Sequence, residues 1–149
     1  SLHASGMAID GKGYIFIGSS GSGKSTLARG LVADPSVTVL GEDQLFLRLH
    51  HEKFWVYGTP WHEDPNICTP LGVPLEKVFF LERGPGKHLK NFSAVNGIST
   101  VLRTAFIPYY RRDLMPGILD RLVLFGTEVP FFSLCYQLGE SMLKTILDA

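Results

Sequence analysis

The chain has 149 residues, the size of one ordinary domain, and 45% hydrophobic against 19% charged residues gives it enough apolar material for a core. Lys and Arg total 14 and Asp and Glu total 14, so no basic excess points to nucleic acid and no basic helix points to a membrane surface. No apolar run approaches the roughly 18 residues of a membrane span, residues 1–13 lack the apolar stretch of a secretory leader, and Cys68 and Cys135 make neither a disulfide framework nor a metal site, so the expectation is a cytoplasmic protein.

In chain order, residues 4–9 and 14–17 are short apolar runs around Asp10-Gly11-Lys12-Gly13, and Asp-Gly between such runs reads as a hairpin turn. The second run opens into a glycine-rich loop. Beyond it Leu27, Leu31 and Val32 mark one face of a helix over residues 25–33, which Asp34-Pro35 ends. Residues 37–40 suit a buried strand, with Glu42 and Asp43 just past its end. Residues 45–49 and 54–57 read as a strand pair. The segment 58–74 holds four prolines and reads as a long irregular loop. A strand follows at 78–81, then a loop over 83–90.

Residues 98–106 and 114–125 read as helices, the second starting late or kinking at Pro116-Gly117. Residues 129–138 read as a strand in spite of Pro130, and 141–147 as a terminal helix with Leu143, Ile146 and Leu147 on its apolar face. Cys135, in an apolar run, reads as a small core hydrophobe. The order gives an α/β sandwich, a mixed β-sheet flanked by helices, as a single domain over 1–149. It is not a clean βαβ alternation.

Gly18-Ser19-Ser20-Gly21-Ser22-Gly23-Lys24-Ser25 matches the P-loop pattern G-x-x-x-x-G-K-[ST] without a deviation, with an apolar strand before it and a helix after. Glycines let the backbone curl until its N–H groups face one hollow, and the helix N-terminus adds partial positive charge. A nucleoside triphosphate, ATP first, is the expected ligand. Lys24 sets a full charge on its β- and γ-phosphates. Ser25 offers magnesium a hard oxygen, and Thr26 completes the binding run.

Gly41-Glu42-Asp43 is less specific. Carboxylates at the end of the strand after a P-loop helix can hold the metal's shell or take a proton from a hydroxyl; the bland alternative is a solvated turn. The chain lacks the Leu-Ser-Gly-Gly-Gln signature of transporter ATPases and the guanine-reading Asn-Lys-x-Asp of GTPases.

Leu2-His3-Ala4-Ser5, Asp10-Gly11-Lys12-Gly13, the P-loop and Gly41-Glu42-Asp43 together resemble the catalytic domain of HPr kinase/phosphorylase and its serine-kinase-like relatives. The match covers roughly residues 2–46, with His3 standing before Lys24 at the family's spacing. The resemblance implies a fold like the nucleotide domain of phosphoenolpyruvate carboxykinase. It implies Asp43 as general base on the acceptor hydroxyl, Glu42 beside it with a doubtful role on the metal, and His3 in the active site. The stretches Tyr57-Gly58-Thr59-Pro60-Trp61 and Val129-Pro130 look like the smaller stand-alone relatives. Two departures stand out. The Arg-rich, Asn-containing signature through which HPr kinase handles its protein partner has no counterpart, and Trp55 stands where that family has a magnesium-bound glutamate.

Several weaker candidates remain. His62-Glu63-Asp64, the pair His50-His51, the cations Arg83, Lys87 and Lys90, and Arg111-Arg112 are each more simply solvated surface than site. Trp61, Tyr109 and Tyr110 read as packing or lid residues. The expected activity is ATP-dependent transfer of the γ-phosphoryl group to a hydroxyl, first of all a serine of a protein, a peptide or free serine. The alternatives are an ATP-binding or hydrolysing regulatory module and a different small-molecule kinase. The acceptor and the oligomeric state stay open, a homo-oligomer included.

Overall fold

The computed structural model describes residues 1–61, 69–84, 86–136 and 142–149. The chain opens with a short strand β1 (Leu2–His3), then the hairpin β2 (Ser5–Ile9) and β3 (Lys12–Ile17). Its two-residue turn places Asp10 at φ 50° and Gly11 at φ 76°, the left-handed pair that matches strand twist, as the Asp-Gly signal predicts. Helix α1 (Lys24–Leu31) follows the P-loop, and β4 (Val37–Gly41), β5 (Gln44–His50) and β6 (Lys53–Gly58) come next. Then come β7 (Gly72–Leu81), β8 (His88–Asn91), α2 (Ala94–Thr104), α3 (Met115–Glu128), β9 (Phe131–Cys135) and α4 (Leu143–Leu147).

β7 joins two parts of one mixed sheet. Its first residues pair antiparallel with β6, which continues to β5 and β1. Its later residues run parallel to β3 on one side and β9 on the other. Beyond β3 lie β2 and β4, and beyond β9 lies β8. The P-loop thus leaves the sheet at the carboxyl end of β3, a strand with β2 and β7 on either side.

Two cores fill the two faces. Leu27, Ala28 and Leu31 of α1 and Ile146 of α4 pack with Met7, Phe16 and Phe79. Val101 of α2 and Phe125 of α3 pack with Ile15, Leu45, Phe54 and Val56. Each such leucine or phenylalanine taken from water contributes about 1.5–3 kcal/mol. The α/β sandwich with a mixed sheet flanked by helices is the observed architecture.

Four local expectations change. β7 starts at Gly72, inside the expected loop, because Pro74 has β6 as partner on one edge while β3 begins pairing only at Leu75. No ladder N–H is needed there, so proline is tolerated. β8 forms where the glycines and lysines of 83–90 suggested loop, held by pairing with β9. Pro116 sits at the start of α3, where it is compatible with a helix, so α3 has no kink there and runs on to Glu128. The last strand is shorter than expected, ending at Cys135, which is buried as the apolar run implied. His62, Glu63, Asp64 and Cys68 lie outside the described residues.

Candidate active site

β3 ends at Ile17, and a tight turn closed by Ser22 N–H to the Ser19 carbonyl at 3.0 Å begins the P-loop. Gly21 at φ 70° and Gly23 at φ 100° are left-handed, which a side chain would strain, and Gly23 caps the N-terminus of α1. Lys24, at 9% exposure, folds its ammonium back over the loop and donates to the carbonyls of Gly18 at 2.7 Å and Ser19 at 3.2 Å. Burial lowers its pKa from the ordinary lysine value, and the negative charge of Asp43 partly offsets this.

Two side chains from outside the motif grip the same loop. The Arg83 guanidinium, just past the end of β7, donates from Nε to the Gly21 carbonyl and from Nη2 to the Ser20 carbonyl, each at 3.0 Å. The Tyr136 hydroxyl, just past β9, donates to the Gly23 carbonyl at 2.6 Å. Burial raises the Tyr136 pKa, so the phenol stays a donor well above neutral pH. Gly21 and Gly23 leave room for this approach, since a Cβ at either would collide with Arg83 or Tyr136. Sequence reasoning ranked Arg83 as plain surface charge and passed over Tyr136. Their position at the carboxyl ends of strands parallel to β3 is the missed signal.

The acidic pair arrives from the other side. β4 ends at Gly41, and the turn at Glu42 and Asp43 leads into β5. Because β1 pairs with β5, His3 opposite Gln44, the His3 Nδ1 comes to 2.9 Å from Asp43 Oδ1. The Glu42 carbonyl accepts from the buried Ser5 hydroxyl at 3.2 Å, which fixes the turn. A cavity of about 350 Å³ unites these parts: His3, Ser20, Gly21, Gly23, Lys24, Ser25, Thr26, Glu42 and Asp43 line it. Gly18 and Ser19 stand behind the lining as acceptors for Lys24, and the Ser22 side chain is buried under the loop.

The donor types fit a hard divalent cation in the company of phosphates: Ser25, Glu42 and Asp43, which all line one cavity, carry oxygen donors. Among the described residues no group of three or more His, Cys, Asp and Glu side chains could hold a metal by itself, so phosphate oxygens would have to complete the shell.

Other candidates fall elsewhere. Trp55 sits in β6, packed near Tyr57 and His50. His51 lies in the β5–β6 turn at φ 46°, where its ring meets that of His50 with centroids 4.1 Å apart. Arg111 is paired with Asp113 at 2.7 Å on the surface. A larger hollow of about 560 Å³ between β5, α2 and α3 is lined by leucines, phenylalanines and other apolar residues together with Ser1, Arg48 and Arg121, and shares no residue with the P-loop cavity.

Comparison with known proteins agrees with the fold. Residues 14–60 match a family described as an AAA domain. The solved structure of the Hpr(Ser) kinase/phosphatase from Coxiella burnetii superposes with a TM-score of 0.59 at 12% identity, covering 98% of this chain and 87% of that one. No curated protein matches the chain. No helix among the described residues is long and apolar enough to cross a membrane. The chain therefore has a P-loop kinase-like fold, with a P-loop of the nucleotide-binding kind at the end of β3.

Proposed function

We propose that this chain, as one domain, is an ATP- and magnesium-dependent phosphotransferase that moves the γ-phosphoryl group to a hydroxyl, a serine first of all. The observation that carries the reading is the single cavity shared by Lys24 and the His3–Asp43 pair. The phosphates would displace the Gly18 and Ser19 carbonyls as partners of the Lys24 ammonium, while the loop amides and the α1 N-terminus take the remaining charge. Ser25 and Glu42 would hold magnesium, which supplies charge neutralisation across the β- and γ-oxygens when bound.

Asp43 accepts the proton of the acceptor hydroxyl as the new O–P bond forms and the bond to the β–γ bridging oxygen breaks, so that ADP leaves. His3 holds one Asp43 oxygen and leaves the other for the hydroxyl. Such chemistry depends on positioning and charge neutralisation more than on covalent catalysis. Incubation with γ-labelled ATP and an extract of the source cell, followed by identification of labelled product, tests the reading. A labelled hydroxyl ester is the expected result. Hydrolysis of ATP independent of any acceptor would instead favour a regulatory ATP-binding module.

A further inference from the structure

Among the described residues, one face of β1, β5 and β6 carries no apolar core. Strand residues alternate sides, and Leu45, Leu47 and Leu49 turn inward to the apolar cluster. Gln44, Phe46, Arg48 and His50 therefore face outward. Cross-strand pairing puts His3 beside Gln44, Tyr57 beside Phe46, Trp55 beside Arg48 and Lys53 beside His50 on that same side. Trp61 closes edge-on against Phe46, with ring centroids 5.9 Å apart.

The composition of this face is that of a binding surface. Both tryptophans of the chain lie on it. Phe46 is 43% and Trp61 54% exposed, and because their rings touch they form one exposed aromatic patch rather than two scattered residues. Trp, Tyr and Arg are the residues that dominate binding energy at interfaces. Arg48 and Lys53 are exposed and have no acidic partner among the described residues. The face begins at His3, whose imidazole touches Asp43, and runs along β5 to His50, a span of ~20 Å at about 3.3 Å per residue. Free serine would occupy only the first few ångströms of that path.

We propose that this outer face docks an extended, acidic segment of a polypeptide whose hydroxyl reaches Asp43, with aromatic contacts at Phe46 and Trp61 and acidic side chains meeting Arg48 and Lys53. The proposal rests on the phosphotransferase reading and adds the specificity-determining surface.

A peptide library with one fixed serine and randomised flanks, assayed with γ-labelled ATP, tests it. The wild type should select acidic residues several positions from the serine. The double variant R48E/K53E should lose that preference and select basic residues instead, a gain that misfolding cannot produce. F46A/W61A should raise KM for the selected peptide about tenfold or more while kcat and KM for ATP hold. Unchanged selectivity in R48E/K53E, or free serine used as well as any peptide, overturns the surface and leaves the phosphotransferase reading standing. If nothing is labelled, that reading fails, and quenching of tryptophan fluorescence by a random Glu/Tyr copolymer judges the surface alone. Quenching by the wild type and its loss in R48E/K53E would support the surface. Equal quenching, or none, would overturn it.

Discussion

The His3 imidazole meets the Asp43 carboxylate at 2.9 Å because β1 pairs with β5, and the Ala4 N–H bond to the Asp43 carbonyl at 3.2 Å secures the junction. His3 thus acts on the candidate base through its orientation. His3→Ala should lower kcat about tenfold, short of the 10²–10⁴-fold cost of losing the base itself, with ATP affinity unchanged. Steady-state kinetics with ATP binding measured on the same variant checks this. An equal loss of ATP affinity would put His3 on the nucleotide instead.

Lys24 is the main counter-charge of the cavity. Lys24→Ala should abolish stabilisation by ATP, which for ligand at 100 times its Kd amounts to about 2.7 kcal/mol, a shift of roughly 5–11 °C in Tm for a domain of this size. Thermal melts with and without ATP and magnesium read it directly. Retained stabilisation would refute the phosphate-binding role.

The same lysine sets a pH dependence. Burial lowers its pKa in the free protein, so in the fold the protonated form is disfavoured. That cost to stability is full below the lowered pKa and shrinks as pH rises from there toward the ordinary value of 10.5. Bound phosphates favour the ammonium and raise its pKa again. ATP affinity should therefore be level through neutral pH and fall on the alkaline side, starting below 10.5. Lys24→Arg, whose guanidinium stays protonated, should flatten that limb. Titration calorimetry across the alkaline range measures both.

The grip on the loop from outside the motif is separately testable. Tyr136→Phe removes only the hydroxyl that holds the Gly23 carbonyl at 2.6 Å. A loss of about 0.5–1.5 kcal/mol in stability is expected, together with weaker ATP binding. Arg83→Gln should weaken ATP binding more than it weakens the fold, since Arg83 is exposed and its partners are the loop carbonyls of Ser20 and Gly21. Chemical denaturation and ATP titration of the two variants separate these effects.

The hairpin turn, the P-loop with its helix and the β5–β6 pair were legible because local chemistry dictates them: Asp10-Gly11 for the turn, glycines and Lys24 for the loop, alternation for the strands. What was not legible depends on distant partners. β1 is two residues long and exists through β5. Pro74 fits a strand because β7 lacks a second neighbour at that residue. Arg83 and Tyr136 reach the loop only once β7 and β9 flank each other. The family resemblance named His3 and Asp43 separately as site residues, and their contact follows only from the pairing of β1 with β5.

Asp43→Asn tests the central claim most directly, with ATP binding and transfer from γ-labelled ATP measured on the same protein. The substitution keeps the shape of the side chain and removes its capacity to take a proton. The account predicts unchanged ATP affinity and a transfer rate lower by 10²–10⁴-fold. Transfer near the wild-type rate would contradict it, and an equal fall in ATP affinity would assign Asp43 to the metal rather than to the acceptor hydroxyl.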